Sequence, residues 1–475
     1  MTQIAKTDSS NAQSALAAAN DLLATMQGKV LLPADAAYAA ARQIWNGAVD
    51  HQPALFAVCE TTKDVQAAVR AACSHGLPLS VRGGGHDWAG RAIRHDGLVI
   101  DLSEMRRVEV DAHAQVATIL GGVTAGDLIN ASAPHGLVAV TSTIGAVGMA
   151  GLTLGGGYGP LTSRYGLALD NLLGAEVVLA NGQLVTADAS ENADLFWALR
   201  GGGGNFGVVT SMRVRLHRTP GLLAGVILFP WSEAEPVLCG YAKAIVTAAD
   251  ELGVIVGVLS GPNGGPVLFL APTWSGEPSE GERIIAELQG LGRPLLVMTC
   301  PIAYSDLLGM YDAHVVNGRH YAVQTRWVSA LTPEVISTLI AWGINRTSPF
   351  TAIALHHFHG AATRVPVDAT AFGLRREHFL VEAIAAWEPG AQVDSTTHRQ
   401  WAQNLSQALA PVALAGGYPN LLGPEERDRI VLGYGGNIVR LRDAKRRWDP
   451  DCIFSAIPYR HKAAQSHGVG TRVIE

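Results

Sequence analysis

Charge is in short supply in this chain of 475 residues. Asp, Glu, Lys and Arg make up 16% of it, and 35 basic against 41 acidic residues leave a formal net charge of −6. That balance offers no basic face for nucleic acid. Cysteine is scarce as well: Cys59, Cys73, Cys239, Cys300 and Cys452 are scattered, odd in number and form no CxxC pair. The sequence therefore carries no disulfide framework and suits a reducing compartment. No apolar run approaches the ~18 residues of a membrane span, and the amino end lacks the basic-then-apolar pattern of a secretory signal. The expectation is a cytoplasmic protein with neither a membrane nor a nucleic-acid partner. Apolar residues, at 48%, supply a large core, and the length suggests roughly three lobes. Glycine, by contrast, is abundant: 53 residues, against an ordinary share of ~7%.

Residues 1–50 read as Ala-rich helix in two pieces, broken near Leu32–Pro33. Residues 51–219 alternate short strands, turns and short helices. Thr61-Thr62-Lys63-Asp64 opens a helix that Gly76 stops. Strands are expected at Leu79–Arg82, Leu98–Leu102, Val108–Val110, Val116–Leu120 and Val208–Leu216, with a hairpin about Asn181-Gly182. Mixed hairpins and helices make the fold class α+β rather than a regular βαβ winding. After Arg218-Thr219-Pro220 the glycine clusters cease, and residues 220–415 read as a second domain with a helix at Pro333–Trp342 and a strand at Phe379–Ala385. A last segment, 416–460, carries a helix at Ile438–Trp448, and 461–475 form a tail.

The glycines cluster in four turns: Gly83 to Gly85, Gly121-Gly122, Gly155 to Gly159 and Gly201 to Gly207. Glycine lets backbone approach a ligand closely and turn successive N–H groups towards an anion. Any one cluster is ordinarily a tight turn; four in one domain suggest an extended ligand that includes a pyrophosphate. Gly202-x-Gly204-x-x-Gly207 has the dinucleotide spacing but the wrong context. A helix precedes it and a strand follows, the reverse of what that fingerprint needs.

In order along the chain, Arg82–Gly90, Gly148–Gly159, Tyr165–Asn171 and Leu195–Gly207 resemble the PCMH-type FAD-binding domain of the vanillyl-alcohol oxidase superfamily. Tyr418–Asn420 and the run from Tyr434 to Pro450 resemble the end of its berberine-bridge-enzyme-like branch, and the singly linked bacterial oxidases in particular. The resemblance implies a two-lobed FAD domain and a substrate domain whose mixed or antiparallel sheet is covered by helices. It also implies FAD bonded covalently to His86, with Arg82, Gly83, Gly84, Gly85 and Asp87 around the pyrophosphate. By the same resemblance Thr141, Ser142, Gly145, Val147, Gly148 and Gly151 line the cofactor. So do Gly155, Tyr158 and Gly159, then Gly207, Val208 and Val209, and finally Tyr418 and Asn420. The position where many branch members bear a second, cysteinyl link is Ile144, so a histidyl link alone is expected. Val147 favours O₂ as acceptor.

The resemblance places Glu382 where relatives carry a catalytic Glu or Gln. Strand alternation puts it with Leu380 and Ile384, and a carboxylate among aliphatic groups has the raised pKa of a general base. The alternative is a solvent-side glutamate. His357 and His359, two apart, share a strand face and are open to three roles: structural, substrate-contacting, or zinc-binding, the last without a third ligand in sight. Tyr321 is a further titratable candidate. These features lead to an FAD-dependent oxidase acting on a small or medium alcohol, amine or phenolic donor. The alternatives are a flavin dehydrogenase with another acceptor and a histidine-centred metal enzyme. Donor identity and oligomeric state, monomer or dimer, are open.

Overall fold

Two Thr–Asp pairs start helices in the glycine-rich half. Thr61 accepts from the Asp64 N–H while Asp64 accepts from the Thr61 N–H, and Thr124 and Asp127 repeat the arrangement. Such reciprocal caps satisfy otherwise orphaned donors at a helix start. The computed structural model describes residues 2–219 and 221–458, with side chains from residue 11 onward. The expected tail at 461–475 lies outside the described residues.

Two larger sheets and a two-stranded one, His217–Arg218 with Leu137–Val138, make up this half among the described residues. In the first, Lys29–Leu31, Leu55–Val58, Leu98–Asp101 and Leu79–Arg82 lie side by side in that order, the last three parallel. The second is antiparallel, in the order Val108–Asp111, Val116–Leu120, Val208–Arg215, Leu172–Val178 and Leu184–Asp188. The expected all-helical segment 1–50 is only partly so: a helix at Thr2–Thr25 is followed by the strand Lys29–Leu31 and a single turn at Tyr38–Ala41. Three residues are too few to show a strand's alternation, and pairing with Leu55–Val58 decides the conformation.

The second half is one antiparallel sheet of seven strands. Its order is Leu296–Pro301, Leu223–Pro230, Pro266–Trp274, Leu252–Ser260, Ala352–Phe358, His378–Trp387 and His320–Val328. Alternation divides its residues between two environments. Ile353, Leu355, Phe379, Val381 and Ala383 pack beneath helices Ala234–Ala244, Pro333–Ile344 and Ser395–Leu409. Phe358, Leu380 and Trp327 face the other way, onto Tyr158 and Tyr418. That second face meets the glycine-rich half.

The halves are locked by Arg375, three residues before the strand His378–Trp387. Its guanidinium makes two 2.8 Å bonds to the Asp170 carboxylate and a third, 2.7 Å, to Thr370 Oγ1. Both charged side chains are buried, at 2% and 9% exposure. Asp170 also accepts from the Leu167 N–H, and the same turn bonds Gly156 and Gly157 through the Leu169 and Ala168 N–H groups. The carboxyl-terminal segment returns to the first half, where Lys445 Nζ donates to the Asn205 carbonyl and to Asp449. Replacing Arg375 by Met is expected to cost about 3–5 kcal/mol of stability, because Asp170 is left as an unpaired buried charge. Urea denaturation measures this, and Arg375→Lys, which loses the two-pronged geometry, should recover only part.

Candidate active site

The strand Leu79–Arg82 ends in the turn that carries His86. Arg82 holds the strand end, donating to Asp101 at 3.0 Å through Nε and packing over Phe56. Its guanidinium is engaged by Asp101 and the Ala41 carbonyl and so fixes the start of the turn. Asp87 is likewise occupied. It accepts from Arg91 Nε at 2.8 Å, and Arg91 reaches on to the carbonyls of Pro419 and Asn420. Arg91, which sequence reasoning passed over, ties the turn to the carboxyl-terminal segment.

His86 stacks flat on Trp45, with ring centroids 4.4 Å apart, and Trp45 stacks in turn on Tyr321 at 4.0 Å. Asn46 fixes this column, bonding the carbonyls of Trp88 and Tyr321 and the Tyr321 N–H. Tyr321 donates its hydroxyl to the Val316 carbonyl at 2.9 Å, so that its contribution is the stack. His86 Nε2 is buried without a partner. Burial lowers the His86 pKa to about 4, which leaves the imidazole neutral, with a nucleophilic lone pair, at physiological pH.

The turn packs backbone to backbone on residues 144–148. A Cβ added at Gly84 would sit 2.5 Å from the Gly148 nitrogen, so both positions require glycine. Gly84, Ala146 and Gly151 keep backbone open to solvent, and a cleft of ≈ 470 Å³ runs beside Ile144, Gly145 and Ala146. Gly145 O and Val147 O receive the N–H groups of Gly126 and Ala125. An unpaired buried nitrogen beside open glycine backbone suits a large anionic cofactor. Thr141 and Ser142 spend their hydroxyls on Tyr304 and the Ile144 carbonyl, leaving only backbone to offer.

The other glycine turns are filled by protein. At Gly156, φ is +148° and a Cβ would meet the Tyr418 ring at 2.7 Å, while the Gly155 Cβ position is taken by the Asn420 amide. Tyr418 accepts from the Gly157 N–H at 2.9 Å, and Asn420 Nδ2 donates to Tyr418 and to the Gly151 carbonyl. Gly201 and Gly203 make room for Phe372 and Ile457, and Gly159 abuts the Thr141 carbonyl. Gly207, Val208 and Val209 lie against or within the strand pairing with Leu172–Val178, the two valines buried. Of the four clusters, the first and the 144–151 backbone thus leave main chain open beside His86, while protein fills the Cβ positions of the others. Close chain packing, which composition does not distinguish from ligand approach, accounts for the rest.

Glu382 emerges on the sheet face turned to the glycine-rich half, directly opposite Thr325 and Ala354. Its neighbour is His356, whose Nε2 lies 3.4 Å from Oε1, with the side chains 17% and 16% exposed. Burial drives both towards their neutral forms, Glu382 up to about 7 and His356 down to about 4. Thr325 Oγ1 is buried on the same face without a partner. Tyr158 donates to His378 Nε2 at 2.9 Å if His378 keeps its proton on Nδ1, the nitrogen that faces the Arg376 carbonyl.

His357 and His359 take a different place from the one expected for partners of Glu382. They do stack on each other, at 4.2 Å, but His357 pairs with Phe379 and stacks on it, on the helix-covered face. His357 Nε2 lies 2.8 Å from Glu377, and His359 Nε2 is bonded to the Leu252 carbonyl. The residue between Leu355 and His357 is the one that faces Glu382. Register against the neighbouring strand, not spacing along its own, reveals this. Among the described residues no three His, Cys, Asp or Glu side chains converge as a metal ion would need.

The shifted groups set a stability profile. Glu382 binds its proton more tightly folded than unfolded, so its favourable contribution is complete below pH 4.5 and lost as pH rises towards 7. His86 and His356 have the opposite sign, losing stability as pH falls from 6.5 towards 4. At pH 8 Glu382→Gln is therefore expected to exceed the parent in stability, with a ceiling of about 3 kcal/mol, and to match it near pH 4. Denaturation midpoints across that range measure this.

With this geometry in place, comparison with known proteins assigns the family. Residues 53–188 match the family described as an FAD binding domain. The chain is 33% identical to (R)-6-hydroxynicotine oxidase of Paenarthrobacter nicotinovorans, over 90% of this chain and 96% of that one. It is 31% identical to an FAD-linked oxidoreductase of Bacillus subtilis, over 90% and 97%. Among solved structures, 6-hydroxy-D-nicotine oxidase from Arthrobacter nicotinovorans superposes with a TM-score of 0.83 at 32% identity, covering 92% of this chain and 98% of that one. Xylooligosaccharide oxidase from Myceliophthora thermophila gives 0.82 at 25%, covering 93% and 98%. The chain belongs to the PCMH-type FAD-linked oxidoreductases, and is a flavoenzyme of that family.

Proposed function

We propose that this flavoenzyme is an oxidase, holding FAD through a single covalent bond from a ring nitrogen of His86 and oxidising a small or medium alcohol, amine or phenolic donor. O₂ is the acceptor and hydrogen peroxide the product. The observation that carries the reading is Glu382, a carboxyl raised to about 7 on the sheet face that meets the His86 half. Among the described residues on this face, Glu382 is the carboxyl brought by burial to a pKa near neutral pH.

Bound flavin supplies the two-electron acceptor, taking hydride from the donor and passing the electrons to O₂. Glu382 accepts the O–H or N–H proton of the donor, and its poise near operating pH suits that task. Tyr158, which borders the cavity beside His356, favours a planar donor. Oxidation of a heteroaromatic amine, the substrate type in the name of the 33% identical relative, agrees with this. His86, neutral and held flat by Trp45, presents the nucleophilic form of imidazole. Ile144 stands where a cysteinyl link would need sulfur, and no cysteine lies between Cys73 and Cys239, which supports a histidyl bond alone. Val147, by the family resemblance, supports O₂ as the acceptor.

Three experiments test the proposal. Acid-precipitated protein should keep its yellow colour in the pellet, and His86→Ala should move the colour to the supernatant. Colour released from the parent protein would remove the covalent bond. Glu382→Gln should lower kcat by about 10²–10⁴ and abolish an acidic limb of the rate profile near pH 7. Peroxide should form in a one-to-one ratio with oxidised donor, and fast dye reduction without peroxide would remove the oxidase claim.

A further inference from the structure

A proton taken by Glu382 from a donor needs a way off the sheet face that bears this carboxyl. Among the described residues its one ion-pair partner is His356, at 3.4 Å. His356 also lines a cavity of ≈ 30 Å³, bordered by Thr143, Ser163, Thr273, Tyr311 and Tyr158. That volume holds one or two water molecules, and hydroxyl side chains are what an enclosed water requires. Among the described residues no Asp, Glu, Lys or Arg borders this cavity; besides His356, its ionisable neighbours are His357, Tyr158 and Tyr311. The other ionisable groups near the pair are Tyr158 and Tyr418, both raised by burial and hence uncharged. Beyond them, His378 is bonded to Tyr158, and Arg91 is engaged with Asp87.

We infer that His356 is the proton exit of the site, relaying the proton from Glu382 to water in this cavity. The inference rests on Glu382 being the base. The carboxylic O–H of Glu382 breaks as the proton forms an N–H bond at His356 Nε2, and the imidazolium then releases a proton to cavity water. Reduction of O₂ to peroxide takes up one proton from solvent for each one exported, so the cycle leaves none over. An imidazole less basic than its carboxyl neighbour holds the proton only in passing. Glu382 is thereby returned to its ionised form, ready for the next proton.

A donor-free measurement on the FAD-loaded enzyme tests this. After a rapid pH jump across 7, the carboxylic-acid C=O band of Glu382 is followed by time-resolved infrared spectroscopy. Glu382→Gln should delete the band. His356→Leu should slow its appearance tenfold or more at a nearly unchanged midpoint, and His356→Ala should be slow but restored by added imidazole. Ser163→Val, which removes a hydroxyl from the cavity wall, should slow it several-fold. An unchanged rate in His356→Leu and His356→Ala, with the band lost in Glu382→Gln, would overturn the relay and leave the base in place. A band that survives Glu382→Gln would overturn the relay, while the rate loss in that same variant separately decides whether Glu382 is the base.

Discussion

The buried pair of Arg375 and Asp170 is the constraint on which the site depends. Asp170 belongs to a turn bonded to Gly156 and Gly157, and Arg375 lies just before the strand that bears Glu382. The pair therefore fixes the sheet against the glycine-rich half at the level of individual atoms. Two ions taken out of water are tolerated only where geometry is good and the remaining donors and acceptors are met, and here Thr370, Ala362 and the Leu167 N–H meet most of them. A shift of one residue in the Glu382 strand would turn that carboxyl into the helix layer. The pair lies outside the reacting region, yet it decides which face reacts.

A second theme is the use of burial to make groups neutral. His86, His356 and Glu382 all depart from their ordinary pKa values in the direction that removes charge, and desolvation is the first cause of each shift. The same low-polarity surroundings give His86 a free lone pair and bring Glu382 close to neutrality, where a base works best. They carry a cost in stability that a packed, uncharged core would not bear. Perturbed groups gathered at one boundary between two halves mark a functional site, and the stack of His86, Trp45 and Tyr321 joins them to the turn.

The glycines serve two physical ends. At Gly84 and Gly148 two turns meet backbone to backbone, leaving open chain beside His86. At Gly155, Gly156, Gly201 and Gly203 the missing side chains admit Asn420, Tyr418, Phe372 and Ile457. The second group closes the carboxyl-terminal segment onto the first half. Arg91, bonded to Asp87 and to two carbonyls of that segment, connects the two uses.

Local pattern was enough for much of the fold. The strands Leu79–Arg82 and Val116–Leu120 and the helix Ile438–Trp448 lie where alternation, capping and a Pro stop place them, because those signals act over a few residues. The motifs from Arg82 to Asn171 likewise identify the cofactor-binding half, and alternation alone sets Glu382 beside Leu380. The strand at Lys29–Leu31, the packing role of most glycine turns and the parts of Arg82 and Arg91 were beyond reach, since each depends on contacts far along the chain. The histidines show the boundary most clearly. Their spacing correctly makes His357 and His359 share a face, but spacing carries no information about which face meets Glu382. Pairing of Ala354 with Glu382 across two strands turns His356 inward and its neighbours out. Thus the sequence by itself determined which residue types stand at which period, and only the tertiary register decided which of them meet.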